Sequence, residues 1–135
     1  MKVRVGVIGG GIWGNYHLSA VKNLEDDGKA QLVAIATRTE ASAKKHQETF
    51  KIKGYTDYKK MIDEEDLDAV TIATPDHLHR EMTLYALERG KHVLVEKPMD
   101  LVSAGCCAMI DLAEKKNLLL QVDFHKRYDP YNIDA

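Results

Sequence analysis

Short runs of β-branched and aliphatic residues recur along the chain, each stopped by glycine, proline or a polar turn and followed by a longer segment with helical spacing. Val3 to Ile8 reads as a buried strand that a glycine cluster ends at once. From Ile12 to Leu24 the apolar Leu18, Val21 and Leu24 recur at helical spacing, and Asp26-Asp27-Gly28 closes the predicted helix. Gln31 to Thr37 reads as the second strand and Ala41 to Phe50 as a polar, weakly amphipathic surface helix. Gly54 and Tyr55 mark a very short third strand, and Tyr58 to Ile62 a turn or two of helix. Ala69 to Thr74 returns to strand, and Pro75 closes it. Asp76 is the expected N-cap of the next helix, with Leu78, Met82, Tyr85 and Ala86 on one face and Gly90 at its C′ position. His92 to Val95, Ser103 to Lys116 and Leu118 to Val122 then predict a strand, a helix and a sixth strand, the last after Asn117.

Strands alternating with helices imply a parallel sheet, because parallel neighbours need crossovers rather than hairpins. The expected fold class is therefore α/β, a doubly wound parallel sheet of the Rossmann kind. At 135 residues the chain is one domain. A domain near that size buries about 70% of the surface its unfolded chain exposes, so no disulfide or metal staple is needed. A hydrophobic fraction of 44% and a charged fraction of 30% suit a globular protein. A net charge of −2 supplies no broad cationic field, so no nucleic-acid or anionic-membrane partner is expected. The adjacent Cys106 and Cys107 have no distant partner, and no segment has the length of a signal or membrane span. Both features favour a reduced, cytoplasmic protein.

The chemistry starts at Gly9-Gly10-Gly11-Ile12-Trp13-Gly14, between a β-branched strand and a helix. In that context Gly9 permits the tight turn, Gly11 lets the backbone approach a pyrophosphate, and Gly14 allows close helix-to-strand packing. The helix N-terminus adds unpaired N–H groups and partial positive charge, and the backbone of Ile12 and Trp13 is placed to meet the phosphates. The acidic residue that would bind the ribose 2′-hydroxyl of NAD at the end of the second strand is missing; Thr37-Arg38-Thr39 stands there, with Glu40 next. A guanidinium at Arg38 suits the 2′-phosphate of NADP, and the Thr37 and Thr39 hydroxyls can donate to phosphate oxygens. The reading favours NADP over NAD, while a solvated Arg38 and a Glu40 that reaches the ribose remain open.

Thr74-Pro75-Asp76-His77-Leu78-His79 and Gly90-Lys91-His92-Val93 followed by Glu96-Lys97-Pro98, taken with the glycine turn, resemble the amino-terminal domain of the Gfo/Idh/MocA oxidoreductases over nearly the whole chain. The resemblance implies hydride transfer between NAD(P) and a carbon bearing oxygen, on a sugar, polyol or related small molecule. It implies that Thr74, Pro75 and His79 sit beside the cofactor, Glu96 near the nicotinamide ribose, and Lys97 beside the reacting oxygen as the catalytic residue. An ammonium there would stabilise negative charge developing on that oxygen. A structural Glu96–Lys97 ion pair and, for His79, a purely packing or capping role remain open. His17, His46 and His77 are expected to be exposed or locally satisfied, and no metal site is expected.

Residues 1–123 are read as the dinucleotide-binding domain. Residues 124–135, with His125-Lys126-Arg127, match the family segment that crosses into a second domain with no counterpart in this sequence. The expectation is the cofactor half of a homo-oligomeric enzyme, without turnover by itself. A binding or sensing module without catalysis is the competing reading.

Overall fold

In a computed structural model, which describes residues 1–133, six parallel strands form one sheet in the order β3-β2-β1-β4-β5-β6. The strands are β1 (Val3–Ile8), β2 (Ala30–Ala36), β3 (Lys53–Tyr55), β4 (Ala69–Ile72), β5 (His92–Glu96) and β6 (Leu120–Asp123). Between them run α1 (Ile12–Asp26), α2 (Glu40–Phe50), α3 (Tyr58–Glu64), α4 (His79–Glu88) and α5 (Ser103–Lys115), and α6 (Pro130–Ile133) closes the described chain. Every strand and helix expected from the hydrophobic pattern is present, with ends displaced by a few residues at most. No described helix is long and apolar enough to cross a membrane.

The sheet separates two apolar cores. Leu18 and Val21 of α1 pack on Val5, Val7, Leu32 and Ile35 on one face, while Met61, Ala86, Leu87 and Ala113 from α3, α4 and α5 cover Ile8, Val70, Ile72, Val93 and Val95 on the other. A bulge in the β1–β2 ladder reconciles this with strand alternation: Val5 pairs with Leu32 but Gly6 with Ala34. The inserted residue reverses the parity of β2, so that Leu32 and Ile35 share a face.

Leu24, although at helical spacing from the buried Leu18 and Val21, is 41% exposed. One local expectation is corrected. Asp76 caps no α-helix. It opens a 3-10 turn, Asp76–Leu78, in which Leu78 N–H donates to the Pro75 carbonyl at 3.0 Å, and α4 starts only at His79. That delay turns His79, Thr83, Ala86 and Leu87 inward, while Met82 and Tyr85 lie at the edge of the buried face.

Candidate functional site

The carboxyl ends of β1, β2 and β4 surround a cleft of about 830 Å³. It lies where the strand order reverses, since β2 and β4 flank β1 and the helices that follow them pack on opposite faces. Helix α1 starts over this cleft with Gly11 as N-cap, no side-chain cap and no acidic residue in its first turn. Its leading N–H groups and positive dipole end are thus left for an anion.

The three glycines act differently. Gly9 has φ +113°, and a Cβ on it would stand 2.3 Å from the Ala73 carbonyl oxygen. A Cβ on Gly14 would stand 2.1 Å from the Gly9 carbonyl oxygen, whereas one on Gly11 would meet nothing within 4 Å. Gly9 and Gly14 are therefore demanded by the packing of turn, helix and strand, and Gly14 does not line the cleft. Gly11 leaves a bare backbone facing it, the cradle that a pyrophosphate fits. Ile12 and Trp13 line the same wall, with Trp13 tilted against Tyr16 at 5.6 Å between ring centroids.

At the end of β2, Arg38 is exposed on the cleft wall and makes no hydrogen bond or ion pair among the described residues. Thr37 lines the cleft but is mostly buried, and its hydroxyl donates to the Thr39 carbonyl at 3.0 Å, which shapes the turn. Thr39 caps α2 by accepting from Ser42 N–H, which leaves its own hydroxyl proton free. Ser42, Thr56 and Tyr58 also line the cleft and were missed in the sequence. Ser42 sits one turn into a capped helix beside the glycine loop, a position that could have signalled it. His46 is locally satisfied, held by the Ser42 carbonyl and Asn15, and His77 is exposed on the cleft wall.

On the other side, Thr74 and Pro75 line the cleft. His79 does not: it is fully buried, with Nδ1 2.8 Å from the Pro98 carbonyl and Nε2 2.9 Å from the Thr74 carbonyl. Its place beside the cofactor is corrected to a brace behind the wall, tying the Thr74-Pro75 turn to the Lys97-Pro98 turn. Lys97 is exposed just past β5 and forms no ion pair with Glu96 within the described residues. Glu96 points inward. It is 5% exposed, with His17 Nε2 at 3.0 Å from Oε1 and Lys97 N–H donating to Oε2 at 3.3 Å, and it does not line the cleft.

His17, expected to be exposed or locally satisfied, is buried against two carboxylates from distant strands. Glu96 and Asp123 are register partners at the ends of β5 and β6, and His17 from α1 reaches both, with Asp123 Oδ2 at 3.5 Å. One ligand atom from each of the three lies within 4.8 Å of the others, a set of one imidazole and two carboxylates able to hold a divalent cation or a shared proton. His125 lies tilted against Trp13 beside them, at 5.1 Å between centroids.

Burial and the nearby Glu96 carboxyl push the Asp123 carboxyl above its ordinary value of 3.8, against the opposing pull of His17 and His125. A carboxyl that binds its proton more tightly when folded contributes stability below its unfolded pKa, and that contribution is lost as pH rises through the folded one. Asp123→Asn, which carries no charge to bury, should therefore melt higher than the parent near neutral pH. The gain should vanish below about pH 3.8, the unfolded value, and thermal melts across pH test both.

The family model described as the oxidoreductase family with an NAD-binding Rossmann fold matches residues 3–124. The chain is 34% identical to an inositol 2-dehydrogenase/D-chiro-inositol 3-dehydrogenase of Halalkalibacterium halodurans, with 96% of this chain aligned to 37% of the relative. It is 33% identical to a dTDP-3,4-didehydro-2,6-dideoxy-alpha-D-glucose 3-reductase of Saccharopolyspora spinosa, over 77% of this chain and 32% of that one. Among solved structures, the 3-ketoreductase KijD10 of Actinomadura kijaniata, in complex with TDP-benzene and NADP, superposes with a TM-score of 0.90 at 31% identity, covering 99% of this chain and 41% of KijD10. The chain thus spans roughly a third to two fifths of the length of such relatives. With the bare Gly11 cradle at the switch point and the matched model on the same strands, this chain belongs to the Gfo/Idh/MocA oxidoreductases and contains their NAD(P)-binding Rossmann domain.

Proposed function

We propose that the chain binds NADP in preference to NAD and serves hydride transfer between that cofactor and a CH–OH or C=O carbon of a sugar, polyol or related small molecule. The observation that carries the cofactor preference is Arg38, a guanidinium on the cleft wall with no partner among the described residues, beside the Thr39 and Ser42 hydroxyls and at a strand end with no carboxylate. Glu40, the nearest acid in sequence, opens α2 and does not line the cleft. Bound there, the nicotinamide supplies the hydride acceptor or donor.

The residues of this chain hold and orient. The start of α1 takes the pyrophosphate, Thr74 and Pro75 wall the side toward β5, and the exposed Lys97 is free to meet a substrate oxygen. Its ammonium stabilises the negative charge that develops on that oxygen during hydride transfer. Titration of the chain with NADPH, followed by nicotinamide fluorescence, tests binding, and absence of binding would overturn the proposal.

In a longer protein that carries this domain and turns over substrate, Lys97→Ala should lower kcat by about 10²–10⁴ with little change in NADPH affinity. Unchanged turnover would leave Lys97 a structural residue and favour a binding module without catalysis. The partners proposed are a small-molecule substrate and further copies of the chain, in the cytoplasm, with no nucleic acid or membrane. Tyr16 at 63% exposure, Phe124 at 48%, Tyr128 at 68% and Tyr131 at 92% present aromatic surface to solvent. The sedimentation coefficient should accordingly rise with concentration, and a monomer at every concentration would refute self-association.

A further inference from the structure

We propose that the indole of Trp13 binds the nicotinamide ring, stacking on one of its faces at the end of the cleft opposite Arg38. The inference rests on the proposed cofactor binding, and it concerns the side chain of Trp13 rather than its main chain in the glycine turn.

Three observations place the indole there. Trp13 lines the cleft two residues after the Gly11 cap, so a dinucleotide whose pyrophosphate meets the start of α1 must pass it. It precedes His17 by four residues and so shares a face of α1 with it, and His17 reaches the carboxylates at the ends of β5 and β6. The indole leans the same way, since it meets the ring of His125, two residues beyond β6, at 5.1 Å between centroids. Arg38 stands just past β2, which β1 and β4 separate from β5, whereas Lys97 directly follows β5. With the 2′-phosphate at Arg38, the ring at the other end of the cofactor falls beside Trp13 and Lys97.

The indole is held for such a contact and left open to make it. Tyr16, three residues on along α1, lies tilted against it at 5.6 Å between centroids, and His125 flanks it as well, so two rings limit its rotation. Trp13 is nevertheless 45% exposed. A side chain needed only for packing would be buried, as Leu18 and Val21 of the same helix are.

Indole is electron-rich and the oxidised nicotinamide ring is a cationic, electron-poor π-system, so contact between their faces combines stacking with cation–π attraction. A ring held flat by one face keeps the other for the substrate. The same contact restricts rotation of the ring about its glycosidic bond, which orients the reacting carbon before the substrate arrives.

Trp13 is the only tryptophan of the chain, so its emission reports the contact directly. NADP⁺ does not absorb where indole emits and therefore quenches by contact rather than by energy transfer. Adenosine 2′,5′-bisphosphate, which carries the adenine and the 2′-phosphate without the nicotinamide, is the control. Emission should fall strongly as NADP⁺ saturates the chain and stay nearly constant with the bisphosphate, binding of each being followed by calorimetry. Trp13→Leu should weaken NADP⁺ binding by about threefold to tenfold and leave the affinity for the bisphosphate unchanged. If thermal melting shows that the variant does not fold, the quenching comparison on the native chain decides alone. Equal quenching by the two ligands, bound NADP⁺ without quenching, or an equal loss of both affinities in the variant overturns the proposal and leaves cofactor binding standing. Binding of neither ligand overturns the cofactor reading and this proposal with it.

Discussion

Gly9→Ala should lower the stability of the domain by about 3–5 kcal/mol and abolish NADPH binding, the largest single-residue effect expected in this chain. Two penalties coincide at this position. The backbone sits at φ +113°, which L side chains rarely adopt, and the new methyl would stand 2.3 Å from the Ala73 carbonyl oxygen. That carbonyl belongs to the turn after β4, so it can yield only by moving the Thr74-Pro75 wall of the cleft. Gly28→Ala provides the comparison: φ is +73° there too, but no atom lies within 4 Å of a new Cβ. Its cost should be about 1 kcal/mol, with binding retained. Urea unfolding and NADPH fluorescence on both variants check the pair, and equal losses would show that backbone conformation rather than the clash governs the turn.

Arg38→Ala should weaken NADPH binding by about 10- to 100-fold and leave NADH binding and thermal stability nearly unchanged. A charge-assisted, bidentate contact to a phosphate contributes about 1.5–3 kcal/mol, and each 1.4 kcal/mol is tenfold in affinity. Stability should hold because Arg38 is exposed and has no partner among the described residues whose loss would cost anything. Parallel titrations with NADPH and NADH decide the matter. If NADH binds more tightly than NADPH in the native chain, and Arg38→Ala alters neither, the preference for NADP fails.

The outline of the domain was legible from one dimension because its signals are local. A β-branched run such as Val3–Ile8 ending in glycines encodes strand and turn together, and the alternation of strands with helices leaves a parallel sheet as the economical arrangement. Glycine spacing was legible for a similar reason, since a clash between Gly14 and Gly9 is built into a strand-turn-helix of that length. Side chains that depend on neighbours from other elements were read less well. The Thr37 hydroxyl was assigned to phosphate but is spent on its own turn, and His79, assigned to the cofactor, braces two backbone carbonyls behind the wall. The buried face of α4 was misplaced because a 3-10 turn delays the helix, a distinction that apolar spacing does not encode.

The sequence by itself determined the element order, the parallel doubly wound class, the phosphate-binding turn and the identity of the lysine turn after β5, all properties of contiguous residues. Only the tertiary structure decided which polar groups face the cleft and which are consumed inside it. His17 and Glu96 are separated by 79 positions, and nothing near either predicts the other. They meet because the crossovers bring α1 over the end of β5, and strand register then sets Asp123 beside Glu96. Their residue types do not announce the cluster; it exists only once the sheet has assembled and brought the three side chains together.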